Sequence, residues 1–140
     1  MSIIQVNKSI TEHFDYDEEW IRCKCCDTLR ISDQFFKHMA ALEGLRVELG
    51  SGLRIVSGYR CKKHNKEVGG AESSQHLIFA TDVKPITNDD RIQFKADLSL
   101  IVAMAPDYGF TGIGVDDSFI HLDMRHTQKD RPVIRWTYGK

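Results

Sequence analysis

The apolar positions between residues 33 and 49 recur every three or four places. Phe35, Met39, Leu42, Arg46 and Leu49 trace one mostly apolar stripe, and Gly50 follows it. That period predicts a helix from about Asp33 to Leu49, with the glycine as its terminator. LRIVSGYR then reads as a short strand-like run ending at Ser57 and Gly58, followed by a polar excursion through KKHNKEVGG. ATDVKP alternates: Ala80, Asp82 and Lys84 point one way, Thr81 and Val83 the other, and Pro85 closes the strand. Phe94, Leu98, Ile101 and Ala105 supply the stripe of a second helix, with Thr87 and Asp90 as a capping box and Pro106 at its end. Two strands follow near Gly109–Val115 and Ser118–Met124, joined by a turn at Asp116 and Asp117. A last strand runs through VIRWT. Residues 1–27 carry no period, and Phe14, Tyr16 and Trp20 are the anchors available to such an arm.

Helices and strands mix without regular βαβ alternation, so the fold class is α+β. A chain of 140 residues suits one domain, 1–140, divided into an arm over 1–27 and a core over 28–140. Hydrophobic residues at 41% and charged residues at 28% mark a globular chain. With 19 basic and 20 acidic residues the formal charge is -1, which gives no bulk attraction to nucleic acid or an anionic membrane. No apolar run approaches a membrane span, and MSIIQVNKSITEHF does not read as a secretory signal. The expectation is cytoplasmic synthesis of a monomer. Three of the four cysteines crowd into RCKCCD, too tightly for a standard C-x₂-C knuckle. Reduced structural thiols, a metal or redox role, and a disulfide from the cluster to Cys61 are the alternatives.

The candidate chemistry sits in AESSQHLIFATDVKP and FIHLDMRH. On a regular strand Phe119, His121, Asp123 and Arg125 share one face, while Ile120, Leu122 and Met124 share the other. The apolar face belongs on the core; the polar face should meet water or line a cleft. His76, Asp82 and His121 together make a His₂Asp donor set of the kind catalytic zinc uses, with one position left for water. Asp123 is the nearest candidate to accept that water's proton, with Asp116 and Asp117 in the adjoining turn. His126 competes with His121 for the third ligand position but lies on the opposite parity. Read alone, His13, His38 and His64 need be no more than hydrogen-bonded residues, Ser73, Ser74 and Gln75 simple turn formers, and Asp123–Arg125 an exposed ion pair.

Taken together, SGYRCKKHNKEVGGAESSQHLIFATDV and the later GFTGIGVDDSFIHLDMR resemble the zinc D-alanyl-D-alanine carboxypeptidase and murein endopeptidase superfamily, the M15-like peptidases, over roughly residues 30–138. The resemblance implies a hedgehog/DD-peptidase-like fold, an antiparallel sheet packed against helices. It also implies Zn²⁺ on His76, Asp82 and His121, Arg60 as a clamp on a substrate carboxylate or carbonyl, and Ser74, with Gln75 beside it, as polar pocket groups. The implied partner is a peptidoglycan stem peptide, cut as a D-Ala-D-Ala carboxypeptidase or an L-Ala-D-Glu endopeptidase. Small unexported members are often phage lysins, which implies phage-mediated or holin-dependent access to the wall. The family pattern is S-x-H-x-x-G-x-A-x-D, whereas this chain reads SQHLIFATD, one position shorter and without the glycine. The backbone between His76 and Asp82 must rearrange if both are to reach one ion. A non-catalytic peptidoglycan-binding or phage structural module on the same scaffold is the rival reading.

Overall fold

The computed structural model describes residues 9–18, 20–125 and 132–138. Helix α1, Asp33–Leu49, opens on Ser32, whose hydroxyl accepts from the Phe35 N–H, and closes on Gly50 at φ 78°. Its buried face is Phe35, His38, Met39, Ala41, Leu42 and Leu45, so the stripe runs through His38 and Leu45 rather than out to Arg46 and Leu49. Helix α2, Lys62–Glu67, occupies the polar excursion. Only Asn65 of it is buried, so no apolar period betrays it. Helix α3, Arg91–Met104, starts later than Thr87 because Asp90 itself is the cap, accepting from Gln93 N–H at 3.0 Å. Asn88 and Asp89 hold positive φ in the preceding turn, which the helix cannot include. Past Met104 the chain tightens into a 3-10 turn, Ala105–Tyr108, that takes in Pro106.

Five strands, β1 Leu53–Ser57, β2 Thr81–Pro85, β3 Gly112–Val115, β4 Ile120–Asp123 and β5 Ile134–Thr137, form one sheet in the order β1-β2-β4-β3-β5. The sheet is antiparallel, as expected, in every pairing but one, β3–β5, which is parallel. The reason is geometric. Asp123 at the end of β4 pairs with Gly112, and Ile134 at the start of β5 also pairs with Gly112, so the chain leaves and re-enters the sheet at the same end. A strand that begins there, one place beyond β3, must run parallel to it.

Strand parity divides the sheet into two faces. Val83, Ile113, Ile120 and Leu122 join Phe35, Met39, Leu42, Leu45, Leu98 and Ile101 in one buried cluster, with the helices on that side. Phe14 and Ile21 bring the N-terminal arm into the same cluster, and Tyr16 and Trp20 pack at its margin. Among the described residues no helix is long and apolar enough to cross a membrane. The opposite face of the sheet carries the chemistry.

Candidate metal centre

One cross-strand row holds most of the site. Asp82 on β2 pairs with His121 on β4, His121 with Gly114 on β3, and Gly114 with Trp136 on β5. Paired residues share a face, so the alternation in each strand puts Asp82, His121 and Trp136 together. Gly114 is what lets the row close. A Cβ there would stand 2.7 Å from Trp136 Nε1, so the missing side chain leaves room for the indole to lean over His121, ring centroids 5.3 Å apart.

His76 enters from outside the sheet, on the 3-10 turn Gln75–Leu77. Ser74 caps that turn, its hydroxyl accepting from His76 N–H at 3.2 Å. The turn takes up the shortened spacing: it rotates His76 back over β2 and places Nε2 3.4 Å from Asp82 Oδ1. His121 Nδ1 lies 3.0 Å from the same oxygen. The donor atoms of His76, Asp82 and His121 lie within 4.8 Å of one another, and both rings are nearly buried.

The far side of each ring is committed. His76 Nδ1 lies 2.7 Å from the Gly58 carbonyl, which can only accept, so Nδ1 carries the proton and Nε2 is bare. His121 Nε2 lies 2.6 Å from Asp123 Oδ2, which leaves Nδ1 as the bare nitrogen. With both rings neutral, as metal binding requires, two bare imidazole nitrogens and a carboxylate oxygen converge on one point. Zinc bonds of about 2.0–2.1 Å need tetrahedral ligand separations of roughly 3.3 Å, which matches the two distances to Asp82. Burial alone would raise the Asp82 carboxyl, but in the metal-free chain hydrogen bonds from the protonated forms of His121 and His76 hold it at about 2, so the carboxylate is anionic, as a ligand must be.

The peptidase M15 profile matches residues 12–123, most of the chain and all three of these donors. The chain belongs to the peptidase M15 family. That superfamily consists of zinc-dependent carboxypeptidases and endopeptidases, and the triad supports catalysis of that kind here. No curated protein and no solved structure matches the chain. The family match reaches further toward the N-terminus than the motifs beginning near residue 30, and takes in the arm with Cys23, Cys25 and Cys26.

The other residues of this M15 chain singled out by sequence fall around the triad as follows. Arg60 is half-buried beside Asp82; burial lowers its guanidinium and Asp82 opposes that. Its Nη2 reaches Ser74 Oγ at 3.4 Å, while its buried Nε has no hydrogen-bond partner among the described residues. Gln75 sits half-buried on the His76 turn. Asp123 is wholly buried behind His121, with Arg125 Nη2 at 2.7 Å and Arg125 Nε at 3.0 Å from its two oxygens. The polar face of β4 is therefore roofed rather than open: Arg125 lies over the Trp136 ring at 4.6 Å. Asp116 caps its own turn, accepting from Ser118 N–H and Oγ–H. His126 lies outside the described residues. A surface depression of about 1330 Å³ is lined by Lys84, Asp90 and Ser118 and includes none of the triad.

His38, read from sequence as an ordinary histidine, lies under the centre. It is fully buried, Nε2 2.8 Å from Thr81 Oγ1, between Phe79 and Phe110. Burial pulls it from 6.5 down to about 3, with Asp123 opposing and His121 and His76 assisting. The depressed value means the unfolded chain takes up the proton first, so this stability is present above pH 6.5 and lost as pH falls toward 3. Asp82 and Asp123 are depressed below 3.8 and act only at lower pH; His121 is raised, so its share is lost only as pH rises. Between pH 6.5 and 4.5 the metal-free chain should lose about 2 kcal/mol through His38. His38→Gln should flatten that slope, as urea unfolding across the range would show.

Proposed function

We propose that this M15 peptidase hydrolyses peptide bonds in the stem peptides of bacterial cell wall, as a D-Ala-D-Ala carboxypeptidase or an L-Ala-D-Glu endopeptidase. The observation that carries the reading is the convergence of His76 Nε2, Asp82 Oδ1 and His121 Nδ1, with the opposite nitrogen of each ring already bonded. A zinc ion bound there supplies Lewis acidity toward a scissile carbonyl and lowers the pKa of water toward neutrality. Two neutral imidazoles and one carboxylate leave such a site with a net single positive charge, enough to favour a developing oxyanion.

The chain's own groups divide the remaining tasks. Gly58 O and Asp123 hold the ligand rings in orientation and tautomer. Asp123 was the first candidate for accepting the proton from water. Its position behind His121, with both oxygens engaged, supports a positioning role instead. Arg60 is half-buried and carries its charge beside Asp82 of the triad, and its planar guanidinium suits it to grip a substrate carboxylate with two parallel bonds. Ser74 already holds both Arg60 and the His76 turn. Arg60→Ala should raise KM about 10- to 100-fold with zinc retained, and Arg60→Lys should recover only part of that, because one charge without the fork replaces a bidentate contact.

Incubating the zinc-loaded chain with defined stem peptides and weighing the products tests the whole reading. Release of one D-alanine marks the carboxypeptidase, and a cut between L-alanine and D-glutamate marks the endopeptidase. Intact peptides beside stoichiometric zinc would replace the hydrolase with a binding module. The shortened His76–Asp82 spacing was that rival's best support, and here the 3-10 turn keeps both residues at the centre.

A further inference from the structure

We propose that Cys23, Cys25, Cys26 and Cys61 form a second metal centre, a tetrathiolate zinc site that ties the N-terminal arm to the corner carrying Arg60. The four are free thiols, and their sulfurs lie within 4.8 Å of one another. Cys23, Cys25 and Cys61 make a nearly equilateral triangle, with Sγ separations of 3.5, 3.5 and 3.2 Å. A tetrahedron of sulfurs about 2.3 Å from zinc has edges of roughly 3.8 Å, so this triangle is close to one of its faces. A disulfide joins two sulfurs and has no use for a third at the same distance. Cys26 completes the set; its exposed thiol lies 2.9 Å from Thr28 Oγ1.

The backbone explains how so tight a spacing delivers three ligands. Cys23 N–H donates to Thr28 O and Asp27 N–H returns to Cys23 O, both at 2.8 Å, with Asp27 at φ 53°. The chain thus reverses within a few residues and wraps Cys23, Cys25 and Cys26 around one point. Cys61 arrives from the other side. Its own N–H donates to Cys23 Sγ at 3.4 Å, and His64 N–H donates to Cys61 Sγ at 3.4 Å. Backbone donors of this kind offset the negative charge that thiolates gather around a metal.

The placement gives the centre a task. Tyr59 N–H bonds Ile21 O at 3.0 Å and Arg60 N–H bonds His76 O at 2.9 Å, so the segment 58–61 lies between the arm and a ligand of the catalytic centre. A Cβ on Gly58 would meet the Trp20 and Ile21 carbonyls, which shows how closely the arm approaches. Fixing Cys61 to the arm therefore fixes Arg60 and the Gly58 carbonyl that orients His76.

The test counts zinc in chain purified under reducing, anaerobic conditions. The wild type should carry about two ions and Cys25→Ser, Cys26→Ser and Cys61→Ser about one each. His76→Ala should also keep about one, and X-ray absorption on that ion should show a sulfur-only shell near 2.3 Å. Zinc-free His76→Ala, a shell of nitrogen and oxygen, full zinc in any of the serine variants, or an intact mass two hydrogens light would overturn the proposal. Should the serine variants fail to fold, titrating the wild type with an organomercurial decides. Release of about one zinc in step with four blocked thiols is expected, and thiol blocking without zinc release sinks the site. A single ion lost in His76→Ala but kept in the cysteine variants would remove this centre and leave the peptidase intact. The converse pattern would do the opposite.

Discussion

His76→Ala is expected to abolish stem-peptide cleavage, by more than about 10³-fold, and to empty the His76–Asp82–His121 centre while most of the fold survives. The effect is large because the site has three protein donors and little slack. Losing Nε2 leaves one imidazole and one carboxylate, and nothing else described lies in the same place to substitute. The fold should survive because His76 sits on a three-residue turn outside the sheet, with Ser74 and the Ile78–Gln75 hydrogen bond still closing it. Loss of the bond to Gly58 O and of a nearly buried ring should cost about 1–3 kcal/mol. Zinc is best counted in a Cys25→Ser background, so that ions on the cysteine cluster do not mask the change. Full zinc and normal turnover there would take His76 out of the centre.

The His76–Asp82–His121 cluster was legible in the sequence as a candidate donor set, and much of what surrounds it was not. Parity alone placed Asp82 opposite Thr81 and Val83, and His121 and Asp123 opposite Ile120 and Leu122, since a half-buried strand cannot exchange its faces. The period in α1 was equally plain. Local pattern says nothing, however, about which strands are neighbours. That Trp136 roofs His121 depends on the order β4-β3-β5 and on the register through Gly114. One signal was available: Gly112 and Gly114 alternate on the polar face of TGIGV, which marks a face where neighbouring side chains need the space. Helix α2 hid because a six-residue polar helix has no apolar stripe. His38 hid because its burial is tertiary, made by Phe79 and Phe110 from other parts of the chain. The lost loop residue could be weighed only in three dimensions, since nothing in SQHLIFATD indicates that a 3-10 turn would restore the reach.

Asp123→Ala is expected to destabilise the chain by about 3–5 kcal/mol and to weaken zinc binding about 10- to 100-fold. Asp123 is a fully buried anion held far below the usual carboxylate range: burial opposes it, but His121 and Arg125 prevail. Alanine would strand the Arg125 guanidinium over Trp136 and release the His121 ring to rotate. Asp123→Asn separates the two roles open to this residue. An amide oxygen can still accept from His121 Nε2–H, so a positioning residue should lose zinc affinity while kcat at saturating zinc stays within about 10-fold of wild type. A proton acceptor would show the reverse, with zinc affinity unchanged and kcat lost at every zinc concentration. Gly112→Ala offers a second handle without touching the carboxylate. Its Cβ would press on Asp123 Oδ1 and stand 2.5 Å from Arg125 Nε, so it should displace the same pair and lower zinc affinity in the same direction. If both variants bind zinc normally and only Asp123→Asn is inactive, Asp123 handles the proton and the orientation of His121 must come from elsewhere.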